Sequence, residues 1–189
     1  MDNNDLSNYD EVLQDISLMV QKNSVEVSNN SVTGIIYWRF KDRYFPELNW
    51  NDLICSVLSM WTDSICQLIN NNRKRVILNF MEGPFYILTV KRNTRLGIKL
   101  YEDFGTPVLL ESLTINEKQL YMLLHDASSI LLSCLECGNC MENHDRTQID
   151  TTSNMDFIKM NSPALFQDYV KIKENCKKIF EYCDSDMEY

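Results

Sequence analysis

The residues best placed to do chemistry are cysteines. Cys134-x-x-Cys137-Gly138-x-Cys140 is followed four residues later by His144. Thiolates at this spacing, with a glycine after the second, resemble half of a zinc knuckle, whose ligands converge on one tetrahedral ion. A structural zinc site joins two such pairs, and the remaining candidates, Cys176 and Cys183, have six residues between them instead of two. The simpler reading is a buried helix end that carries ordinary cysteines. No metal or cofactor is therefore expected, with Cys134, Cys137, Cys140 and His144 as the alternative ligand set. An iron–sulfur site lacks a well-placed fourth cysteine.

Other groups offer less. His125, one of two histidines, falls in a helical pattern with no second catalytic group in its segment. Nucleophile elbows, phosphate-cradling loops and dinucleotide fingerprints are absent. Asp42, Glu47, Asp52, Asp63, Glu82 and Asp103 are scattered, and solvated surface is the default for such acids. Arg73-Lys74-Arg75 and Lys91-Arg92-x-x-Arg95, with Tyr86 and Tyr101 nearby, could form a small nucleic-acid patch. Basic residues also blunt exposed strand edges, and that reading is preferred. The expectation is a protein that is not an enzyme.

The elements that must position these groups follow from composition and periodicity. The chain has 189 residues, 44% hydrophobic and 24% charged, enough for one domain with a substantial core. No apolar run approaches the roughly 20 residues of a membrane span. The acidic, polar start lacks the basic and apolar regions of a signal peptide, so a cytoplasmic location is expected. Seven cysteines is an odd number, and Cys55 and Cys66 lie in an apolar helical pattern, which argues against a disulfide framework.

The net charge of −9 is unevenly placed. Residues 1–31 carry −5 and 181–189 carry −4, whereas 73–99 carry +6 and 102–168 carry −8. An overall acidic chain is a poor generic nucleic-acid binder, and its acidic second half suits a basic partner.

Residues 5–22 place apolar side chains at steps of three and four and predict an amphipathic helix, with a strand over Ile16–Val20 as the competing reading. Val32–Asp42 is rich in β-branched and aromatic residues and predicts a strand. Pro46 interrupts, and Asn49 or Asn51 is placed to cap a helix running from Trp50 to Ile69. Strands are predicted around 76–81, 85–90 and 96–101, with a short edge strand near 108–110. Thr114-x-x-Glu117 reads as a capping box before a helix stopped near Gly138. Residues 141–161 read as a polar linker, and Ser162-Pro163 opens a last helix. The result is an α+β domain over 1–140: an antiparallel meander of about four to six strands with helices on one face. A linker over 141–161 and a C-terminal helix with an acidic tail over 162–189 complete the chain.

A further pattern joins these pieces. The strand Gly34–Phe40 leads into Tyr44-Phe45-Pro46-Glu47-x-x-Trp50-x-Asp52-Leu53. A helix with Leu58 and Trp61 and then Phe80-Met81-Glu82-Gly83-Pro84-Phe85 follow. This order, over about residues 25–137, resembles small bacterial immunity proteins of polymorphic and contact-dependent toxin systems. The resemblance implies a non-enzymatic inhibitor that binds one cognate, basic toxin domain and occludes its active site or substrate surface. No membrane or nucleic-acid partner is expected. The candidate contact residues are Glu102, Asp103, Glu111, Glu117 and Asp126, for charge, and Tyr44 and Phe45, as apolar anchors.

Overall fold

A computed structural model describes residues 16–28, 30–137 and 154–185. Strands β1 (Ile16–Val20), β2 (Glu26–Val27), β3 (Val32–Phe40), β4 (Arg43–Phe45) and β5 (Asn51–Asp52) form one antiparallel sheet organised around β3. Helix α1 (Ile54–Ile69) leads to a second sheet of β6 (Arg75–Asn79), β7 (Phe85–Arg92), β8 (Arg95–Asp103) and β9 (Pro107–Asn116), paired in that order as a meander. Helices α2 (Glu117–Glu136), α3 (Asn154–Asn161) and α4 (Pro163–Asp184) follow. The chain is α+β, with its strands divided between two sheets.

The first described element is a strand. Ile16, Leu18 and Val20 alternate into the core, so period two prevails over the helical spacing across these five residues. The rest of the predicted helix, residues 5–15, lies outside the described residues.

Helix α1 is the hub. Ile54, Val57, Leu58, Trp61, Ile65 and Leu68 are all buried, and the helix packs on β3, β6, α2 and α4. Burying a large apolar side chain contributes roughly 1.5–3 kcal/mol, so each of these residues adds substantially to the core. The Trp61 indole donates to the Asn79 carbonyl at 2.7 Å and fixes the helix against β6. Neither Asn49 nor Asn51 caps it. Asn51 and Asp52 pair with β3, and the helix begins two residues later.

The β9–α2 junction also departs from expectation. β9 runs through Thr114 and ends at Asn116, whose side chain accepts from the Lys118 amide at 2.9 Å. Asn116 is therefore the helix cap, and the Glu117 carboxylate is engaged elsewhere. Of the predicted linker, 154–161 form α3, and 141–153 lie outside the described residues. Helix α4 belongs to the core: Leu165, Tyr169, Ile172, Cys176, Ile179 and Cys183 are buried against α1 and α2.

The two sheets meet at an aromatic joint. Phe45, Trp50, Trp61, Phe80 and Phe85 make edge-on contacts with centroids 5.0–6.4 Å apart. Beneath them Asp52, 1% exposed, accepts from the Trp50 indole at 3.1 Å and from the amides of Leu53, Met81 and Glu82 at 2.7–3.2 Å. Burial nevertheless pushes the Asp52 carboxyl above its usual range, against those hydrogen bonds. Gly83 adopts φ +84°, and a Cβ there would stand 3.0 Å from the Trp50 ring. The Phe-Pro-Glu-x-x-Trp-x-Asp and Phe-x-Glu-Gly-Pro-Phe segments are two halves of this one joint.

Candidate functional site

The second sheet buries one face and opens the other. Val76, Leu78, Ile87, Leu96, Ile98, Leu100 and Ile115 point into the core. The β8–β9 hairpin reaches past that core. At its tip Asp103 accepts from the Gly105 amide at 2.9 Å, and Gly105 adopts φ +100°. Phe104 is left 81% exposed. Val108, Leu109 and Leu110 continue the apolar surface, each about half exposed. Their strand is an edge of the sheet. A bulge explains how three consecutive apolar residues come to lie outside: Leu100 faces Glu111 while Tyr101 faces Leu109, so Leu110 has no partner across the ladder.

The hairpin gathers three of the predicted acids. Glu102 and Asp103 close β8, opposite Val108 and Pro107, and Glu111 lies in β9. Glu111 pairs with Arg43 at 3.0 Å in an exposed ion pair. That pair holds β4, which carries Tyr44, beside the hairpin. Tyr44 is 41% exposed and meets Tyr37 edge-on at 5.8 Å. Asp126 is exposed on α2, 3.2 Å from the His125 ring, and is not part of this group.

Two predicted contact residues are internal. Phe45 is 3% exposed and packs on Phe80 and Phe85, because strand alternation turns it inward while Tyr44 faces out. Glu117 is buried and forms an ion pair with Lys91 at 3.0 Å. It also accepts from Tyr182 at 2.9 Å and Tyr121 at 3.3 Å. Its carboxylate links β7, α2 and α4 and is turned inward instead of being presented at the surface.

Sequence reasoning missed Phe104, Val108, Leu109 and Leu110 as surface residues. The available signal was Gly105, which marks a turn beside an apolar run without polar alternation. Such a run also describes a buried strand, so burial cannot be decided from the pattern.

The cysteines divide. Cys134 is buried in α2, its Sγ 3.8 Å from the Lys22 carbonyl, while Cys137 at the helix end is exposed. Cys140 and His144 lie outside the described residues. Among the described residues, no group of three or more His, Cys, Asp or Glu side chains is placed to hold a metal ion. No helix among them is long and apolar enough to cross a membrane.

The basic residues and tyrosines do come together. A groove of about 680 Å³ is lined by Arg73, Arg75, Ile77, Tyr86, Leu88 and Tyr101, among others. Tyr86 and Tyr101 stack across β7 and β8 at 5.0 Å and 14°. Comparison of the chain with protein-family models, curated proteins and solved structures returns no match.

Proposed function

We propose that the chain is an immunity protein, which binds a cognate toxin domain and occludes its active site or substrate surface in the cytoplasm. The observation that carries this reading is the overhanging β8–β9 hairpin. Phe104, Val108, Leu109 and Leu110 are exposed apolar side chains along an open strand edge, flanked by Glu102, Asp103 and Glu111. An exposed aromatic beside apolar neighbours suits an interface anchor, and flanking acids steer a basic partner. A stable interface needs about 800 Å² per partner, and in this reading Tyr44 and neighbouring β4 contribute to it beside the hairpin. The role requires no catalysis and no cofactor. The segments behind the resemblance to immunity proteins are those that hold the two sheets together, so they bear on fold more than on role.

The test is co-expression with the toxin encoded beside the gene. The wild-type chain is expected to restore growth and to form a one-to-one complex with the purified toxin domain. Phe104→Asp with Leu109→Asp is expected to abolish both while the chain melts as before. A wild-type chain that forms no complex, or a folded double variant that protects fully, refutes the proposal.

A further inference from the structure

The open face of the second sheet is not used by the reading above. Alternation places Arg75, Ile77 and Asn79 of β6, Tyr86, Leu88 and Val90 of β7, and Lys99 and Tyr101 of β8 on it. Arg73, Arg75 and Lys99 are exposed, and among the described residues they take part in no ion pair. Lys91, from the same basic stretch, points the other way to Glu117. Folding thus sorts the charges of 73–99: one lysine is neutralised inside and the rest remain at the surface.

No acid lines the groove. Asp103 lies two residues beyond Tyr101, at the end away from the arginines, and receives the Gly105 amide. The groove therefore has a cationic end at Arg73 and Arg75 and an aromatic end at Tyr86 and Tyr101. Arg75 and Asn79 bracket β6, and Asn79 faces Tyr86, so the ends are about 13 Å apart at roughly 3.3 Å per residue. That distance suits two or three nucleotides with bases at the tyrosines and phosphates at the arginines. The chain's −9 charge weakens this attraction without abolishing it, because fields from exposed charges fade within about 8–10 Å at physiological salt.

We propose that this groove binds a short stretch of single-stranded nucleic acid, the bases stacking at Tyr86 and Tyr101 and the backbone held by Arg73 and Arg75. An acidic polypeptide would satisfy the arginines and leave the ring pair and the aliphatic floor of Ile77 and Leu88 unused. The groove adjoins the hairpin at Pro107 and Tyr101, across from Leu109, but does not include Phe104, so loss of nucleic-acid binding in the arginine variants leaves the inhibitor reading untouched.

The test is fluorescence anisotropy of labelled U10 and dT10 with the full chain. Saturable binding is expected, weakening about sevenfold between 50 and 200 mM salt if two phosphates are neutralised. Tyr86→Ala or Tyr101→Ala should weaken it about 5- to 150-fold. Arg73→Glu with Arg75→Glu should abolish it, while Lys171→Glu with Lys177→Glu on α4 should not. Tyr86→Phe and Tyr101→Phe keep the ring and should bind as wild type. Should an alanine variant unfold, Tyr86→Leu and Tyr101→Leu keep the apolar surface and should still lose affinity. No binding overturns the proposal. So does equal competition by a glutamate decamer combined with indifference to loss of the tyrosine rings, which would mark a site for acidic chains.

Discussion

Removing the Glu117 carboxylate should destabilise the fold more than any exposed acid can. Its side chain and that of Lys91 are only 8% and 14% exposed, and their charged atoms are 3.0 Å apart. In Glu117→Ala the ammonium keeps only the Leu68 carbonyl, 3.4 Å away, among its described partners. The Tyr182 and Tyr121 hydroxyls lose their carboxylate acceptor. Breaking one side of a buried ion pair costs about 3–5 kcal/mol. For a chain of this length each kcal/mol lowers Tm by about 2–4 °C, so a fall of about 6–20 °C is expected. Thermal melting followed by circular dichroism, with urea unfolding at 25 °C, measures it. Lys91→Met with Glu117→Gln removes both charges and keeps an acceptor for the tyrosines, so it should recover most of the loss. A single variant less than about 1 kcal/mol below wild type, or a double variant as unstable as the single, would refute the reasoning.

Three further outcomes are expected. Gly83→Ala forces a side chain into a left-handed conformation and against Trp50, and should cost about 1–3 kcal/mol in urea unfolding. The Glu136 carboxyl is held below its usual range by the Tyr169 hydroxyl at 2.6 Å and Lys173 at 2.9 Å. Because its folded pKa is depressed, its contribution is full above the ordinary 4.5 and lost as pH falls through the folded value. The Tm gap between wild type and Glu136→Gln should therefore be present at pH 6, shrink below pH 4.5, and correspond to at most about 1 kcal/mol, since the pair is solvated. Burial pushes the Cys55 thiol up to about 12, leaving about one part in ten thousand as thiolate at pH 8. Alkylation mapped by mass spectrometry should label exposed Cys137 quickly and Cys55 only on unfolding.

The sequence carried the elements better than their meeting points. Alternation located β6, β7 and β8, and three-and-four spacing located α1, α2 and α4, because each period reports one face of one element. The division into two sheets depends on which strands pair, which no local period encodes. Phe45 departs from the expected exposure because a three-residue strand is too short to show which side is inward. Asp52 looked like one scattered acid, and its role depends on amides about thirty residues away. The pairing of Arg73 and Arg75 with Tyr86 and Tyr101 was visible as a set of types, and only the sheet register brings them to one groove.

The hairpin overhang separates two demands that usually compete. From Phe104 to Leu110 no side chain is buried, and a Cβ at Gly105 would meet nothing within 4 Å. Exchanges along these seven positions can therefore alter the exposed surface without disturbing what keeps the protein folded, the turn at Gly105 excepted. Under the proposed inhibitor role, a lineage confronted with an altered toxin could change its recognition there in single steps, each starting from an intact scaffold.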